Sequence, residues 1–112
     1  MIYRNRKLLD LAHRIHVCQF KLPGCKGYEV DGCEPCHSNQ SAHGKGGGIK
    51  AADDQHVAGC SNCHRLYDGQ RGKPLPRAVA VQAFNEGRER TFSIYEKNGW
   101  LSLVGYVWEK AA

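Results

Sequence analysis

The side chains with most chemistry to offer are six cysteines and six histidines in a chain of 112 residues. The cysteines are Cys18, Cys25, Cys33, Cys36, Cys60 and Cys63. Two pairs have CxxC spacing, Cys33-Glu34-Pro35-Cys36 and Cys60-Ser61-Asn62-Cys63. Such a turn lets two thiolates converge on one tetrahedral Zn²⁺. Cys18 and Cys25 bracket Pro23-Gly24, a turn signal that can fold the segment back and bring both sulfurs together. A structural zinc takes four ligands, so two sets are open. One is Cys18, Cys25, Cys60 and Cys63. The other is Cys33, Cys36, Cys60 and Cys63, spaced like a zinc ribbon with a slightly long insert. Disulfides are disfavoured. The start is basic, but Asp10, His13 and Arg14 break up the leucines, so no signal peptide is expected. A cytoplasmic setting, the expected one, keeps thiols reduced.

A second group of residues offers a different chemistry. His64 directly follows the second CxxC, and Asp68 stands four residues later. On a helix these positions share a face, so imidazole and carboxylate can hold one metal ion. Upstream, His37 adjoins Cys36, His43 follows, and Asp53 and Asp54 precede the second CxxC. Lys45, Lys50 and Arg65 are candidates for contacts to phosphate.

These residues need elements to position them. Leu8, Leu11, Ala12 and Ile15 follow the i, i+3, i+4, i+7 pattern, so Asn5 to Ile15 predicts an amphipathic helix with Asn5 as N-cap. Val17 to Leu22 suggests a short strand, and Tyr28 to Gly32 a polar hairpin or loop. Ser38 to Asp54 is irregular and contains Gly44-Lys45-Gly46-Gly47-Gly48. That run costs too much backbone entropy for regular structure. It lacks the GxxxxGK[ST] pattern of a P-loop. It serves either as a connector or as a loop bringing Lys45 and Lys50 to phosphates. Ser61 to Asp68 reads as a helix ended by Gly69. Gln70 to Pro76 is a linker. Pro76 to Asn98 is helical, in two segments with a break near Gly87, and Gly99 stops it. Trp100 to Trp108 reads as a late strand or a docking segment.

Composition narrows the classes. Hydrophobic residues make up 41% and charged residues 24%, which argues against wholesale disorder. No apolar run is long enough to span a membrane. The net charge of +5 favours an anionic partner, most simply nucleic acid. The length fits one domain.

The ordered set of Cys18 to Cys25 with Pro23-Gly24, Cys36-His37-Ser38-Asn39-Gln40, Gly44 to Lys50, and Cys60 to Gly69 resembles the HNH, or ββα-metal, nuclease superfamily. The likeness is to small phage- and prophage-encoded nucleases, including the recombination-enhancement type. It covers roughly residues 8 to 69 and leaves 70 to 112 as a C-terminal helical extension. The resemblance implies an α+β fold: a zinc-stabilised ββα-metal core with flanking N- and C-terminal helices. It implies a metal-dependent endonuclease acting on DNA, with a recombination protein as a further partner. His37 maps to the general base. His64 and Asp68, with Asp54, map to the ligands of a catalytic Mg²⁺ or similar ion. Cys18, Cys25, Cys60 and Cys63 map to the structural Zn²⁺. His43 is the rival for the base. Two positions depart from the family pattern. Asp53, Asp54, Gln55 and His56 stand where the family carries Asn, and Cys36 stands where an acid or His often precedes the base. The alternative from another class is a non-catalytic zinc module that binds DNA or a protein.

Overall fold

The computed structural model describes residues 2–70, 72 and 74–109. Parts of the 70–76 linker and of the 70–112 extension, namely 71, 73 and 110–112, lie outside the described residues. The chain forms an α+β fold with a two-stranded sheet. Helix α1 (Arg6–Asp10) runs into a 3₁₀ turn (Leu11–Arg14). Asn5 caps α1 as expected, its Oδ1 accepting from the Leu8 amide at 3.1 Å. The four predicted apolar positions, Leu8, Leu11, Ala12 and Ile15, are all buried. The helix is nevertheless shorter than the expected Asn5–Ile15, because its second half tightens to 3₁₀ geometry.

The expected strand over Val17–Leu22 is absent. The segment makes one antiparallel bridge, Val17 to Tyr28, and Lys21 then turns the backbone to φ +56°. The sheet consists instead of β1 (Glu34–His37) and β2 (His56–Gly59), antiparallel, with Glu34 opposite Gly59 and His37 opposite His56. Strand β2 is buried along its whole length. Its free edge is covered, as an apolar edge must be. The Gln19 amide donates to Ala58 O at 2.8 Å, and the Ala58 amide donates to Thr91 Oγ1 at 3.1 Å.

Helix α2 (Ser61–Tyr67) follows directly, with Cys60 as N-cap and Asp68 as C-cap. Helix α3 (Arg77–Lys97) is one continuous helix of 21 residues, without the expected break at Gly87. The glycine is there for contact rather than bending. A Cβ at Gly87 would sit 2.8 Å from Val57 Cγ1 and 3.0 Å from Gln19 O, so α3 crosses β2 at this point. The apolar residues on either side feed two core clusters. Ala80 and Phe84 pack with Phe20, Val57, Tyr67 and four cysteines, while Phe92 and Tyr95 pack with Leu8, Leu11, Ile15 and Cys33. After Gly99 comes a single turn, α4 (Trp100–Leu103), in place of a late strand. The rest is a docking segment, and Trp108 is buried with its ring 6.1 Å from that of Phe92. Among the described residues no helix is long and apolar enough to cross a membrane.

Candidate metal centre and adjoining cleft

Two sites sit on the β1–β2–α2 unit. The first is a cluster of sulfurs. Chain 18–27 doubles back through Leu22–Cys25, where the Cys25 amide donates to Leu22 O at 3.0 Å. This brings Cys25 to the N-terminus of α2. The loop is fastened there by Asn62 Nδ2 donating to Gly24 O at 2.8 Å and by Glu29 Oε1 accepting from the Ser61 amide at 2.8 Å. A carboxylate is well placed at a helix start, where amides lack partners. The ligand atoms of Cys18, Cys25, Cys60 and Cys63 all lie within 4.8 Å of one another. Around a tetrahedral zinc with ~2.3 Å bonds, sulfurs are ~3.8 Å apart. Cys25 and Cys60 are already at 3.9 Å. Backbone amides point at the sulfurs, Gly27 N at Cys25 from 3.2 Å and Cys63 N at Cys60 from 3.5 Å. Such donors stabilise thiolates. The hydrogen bond between Cys63 and Cys18 holds the Cys18 thiol down to about 4 and pushes Cys63 up. The donor set therefore fits a soft divalent ion, and these four cysteines can hold a metal such as zinc.

Cys33 and Cys36 are not part of this cluster. Their CxxC enters strand β1 rather than a knuckle, so the two thiols fall into different core clusters. Both are fully buried, and desolvation pushes Cys33 up to about 12 and Cys36 well above the usual thiol value. They are neutral core thiols. The zinc-ribbon set is overturned, and Cys36 offers no ligand beside His37.

The second site is a cleft of about 800 Å³ between α1, β1, α2 and the glycine-rich loop. His37, His64, Asp68, Lys45 and Lys50 all line it, so five expected site residues come together. His37 closes β1, and its Nε2 lies 3.0 Å from Asp53 Oδ1. Asp53 is itself tied down by the N-terminal segment. It accepts from the Asn5 amide at 2.8 Å and from Arg4 at 3.1 Å. Burial alone would raise the Asp53 carboxyl, but His37, the Asn5 amide and Arg4 together hold it below its usual value. An ionised Asp53 accepts the Nε2 proton of His37, which leaves Nδ1 as the basic nitrogen.

Across the cleft, His64 Nδ1 lies 2.6 Å from Glu34 Oε1, and its Nε2 lies 3.3 Å from Asp68 Oδ2. Two donors bound to one small cation at ~2.1 Å are ~3.0–3.4 Å apart. The His64–Asp68 pair thus has the bite for an ion. Burial pushes the Asp68 carboxyl up, opposed by the charges of His64, His37 and Lys45.

Comparison with protein-family models, curated proteins and solved structures gives no match to this chain.

Three expected residues lie elsewhere. Asp54 is not in the cleft. Its carboxylate accepts from Tyr106 Oη at 2.9 Å on the far side of the 51–55 turn, so it is no partner of His64 and Asp68. Arg65 is exposed and does not line the cleft. His43, the rival base, faces Ser38 Oγ at 2.7 Å, lines a separate hollow, and is lowered by burial. Among the residues standing where the family has Asn, Asp53 is the one that meets His37. His56 is fully buried, between Asp53 O at 2.7 Å and Tyr95 Oη at 2.9 Å. Four contributors were not foreseen: Glu34, Arg4, and Arg6 and His13 on the N-terminal helical wall of the cleft. Glu34 carried a signal, since it is the acid inside a CxxC. Arg4 carried none, because its partner lies 49 residues away.

Proposed function

We propose that this chain is a metal-dependent endonuclease of the HNH, or ββα-metal, kind, which hydrolyses phosphodiester bonds in DNA. The supporting observation is that one cleft holds His37, bonded to Asp53, and the His64–Asp68 pair, on a β1–β2–α2 unit beside four cysteines that can hold a metal. Phage or prophage DNA processing, with a recombination protein nearby, is the setting that the resemblance implies.

His37 acts as general base. With Nε2–H donated to Asp53, its Nδ1 takes a proton from water as the water oxygen forms a bond to phosphorus. The P–O3′ bond opposite breaks, leaving a 5′-phosphate and a 3′ oxygen that is protonated by solvent. His64 and Asp68 would hold a divalent ion, which when bound supplies Lewis-acid stabilisation to the phosphate and the leaving oxygen. Lys45, Lys50 and Arg6 place positive charge on the rim, where the neighbouring phosphates pass. Arg65 has no part in this cleft. The Asp53–Arg4 pair keeps the acceptor for His37 ionised and in place.

The test is plasmid nicking by the zinc-loaded protein with Mg²⁺, Mn²⁺ or Ni²⁺ added. Nicking that requires the added ion is expected, and it should be lost in His64→Ala and Asp68→Ala at unchanged zinc content. Absence of cleavage on supercoiled, linear and single-stranded DNA alike would favour a zinc module that only binds.

A further inference from the structure

The His64 ring is held from both ends, and the two ends are unequal. At Nδ1, Glu34 Oε1 stands at 2.6 Å, a direct hydrogen-bond distance. That is too short to admit a cation between them, since two ligands of one ion at ~2.1 Å stand ~3.0 Å or more apart. At Nε2, Asp68 Oδ2 stands at 3.3 Å, within that bite. The ring is 29% exposed and faces the cleft, and Glu34 reaches it from the first residue of β1.

We infer that Glu34 is the positioning residue of the ion site: it accepts the Nδ1 proton of His64, fixes the tautomer, and presents the Nε2 lone pair beside Asp68. The inference rests on the endonuclease reading only for what the ion does, not for how it is held. A carboxylate behind a metal-binding imidazole fixes ring orientation and raises its basicity, and its loss weakens binding by ~10–100-fold. Glu34 is well suited to this because it belongs to the sheet. His64 and Asp68 ride on α2, so the hydrogen bond also locks α2 against β1 at the point where the ion would sit. The chain thereby uses one strand for both sides of the cleft, with Glu34 at its start and His37 at its end.

The experiment is calorimetric titration of Mn²⁺ into protein already carrying one zinc, for the parent, Glu34→Ala, Glu34→Gln and Asp68→Ala. The result expected is a ~10–100-fold weaker Mn²⁺ affinity in Glu34→Ala. Glu34→Gln, whose amide oxygen still accepts a hydrogen bond from Nδ1–H, should fall in between. Zinc content should stay at the parent value in both, and both should remain fully folded at the temperature of the titration. In the parent, nitrogen chemical shifts with a second equivalent of Zn²⁺ as diamagnetic probe should show Nδ1 protonated and Nε2 bound. Parent-like affinity in Glu34→Ala, or a ring bound through Nδ1, overturns the role of Glu34 and leaves the nuclease reading standing. A parent that takes up no second ion overturns both.

Discussion

His37 and His56 face each other across the β ladder, yet their surroundings give them opposite chemistry. His37 lies at the cleft, donating Nε2–H to a carboxylate that Arg4 and the Asn5 amide keep ionised. His56 lies inward, donating from Nδ1 to the Asp53 carbonyl and accepting at Nε2 from the Tyr95 hydroxyl. Desolvation brings its pKa down from 6.5 to about 4. The folded state therefore binds fewer protons than the unfolded state between those values. Stability from this group is complete above pH ~6.5 and is lost as pH falls toward ~4, a linkage of about 3 kcal/mol at most. The lowered Asp53 carboxyl acts in the same sense, its contribution lost as pH falls through its folded value. The His56 ring resonance isolates the effect from cysteine protonation. It should keep its neutral position down to about pH 5, and titration near 6.5 would contradict the buried hydrogen-bonded ring. At this scale the sequence was informative about residue type and less so about partners. Asp53 and Asp54 are adjacent and chemically alike. The backbone decides between them, tying Asp53 N to Tyr3 O and turning Asp54 toward Tyr106.

At the scale of elements, local patterns were legible where one element satisfied itself. The Asn5 cap, the buried face of α1 and the helix after the second CxxC follow from spacing alone. They failed where a distant element imposed the geometry. The first CxxC looks like a knuckle, but pairing of Cys36 with Val57 draws it into a strand and turns its thiols to different clusters. Gly87 looks like a helix breaker, but it marks where α3 meets Val57 and the Gln19 carbonyl. This difference changes the sign of a mutation. In an exposed helix interior, Gly→Ala stabilises by up to ~1 kcal/mol. Here the added methyl meets a stiff valine and a backbone oxygen, and overpacking of that kind costs about 1–3 kcal/mol. Gly87→Ala should therefore lower the urea midpoint at unchanged slope. A raised midpoint would mean that α3 has room to spare at the crossing.

For the whole molecule, the four clustered cysteines can hold a metal such as zinc, and a bound ion would add stability that a core of this size lacks. The sulfurs of Cys18, Cys25, Cys60 and Cys63 bring the 18–27 loop to the junction of β2 and α2, where Asn62 and Ser61 also fasten it. Structural zinc in small domains is linked to folding by on the order of 10 kcal/mol. Removing it with a strong chelator should abolish cooperative thermal unfolding and the near-ultraviolet signal of the buried aromatic rings. An unchanged transition would show that the sulfurs are an ordinary core cluster. The net charge of +5 gains a location at this scale, since Arg6, Lys45 and Lys50 ring one cleft whose floor is acidic and imidazole-rich. From sequence the charge could indicate only an anionic partner. Its placement beside His37, His64 and Asp68 is what the proposed phosphodiester substrate requires. The role of His37 is tested by plasmid nicking with His37→Ala beside the parent, at matched zinc content and matched thermal midpoint. We predict ion-dependent nicking by the parent and its loss by at least ~100-fold in the variant. Equal nicking by both proteins would contradict the assignment of His37 as the base.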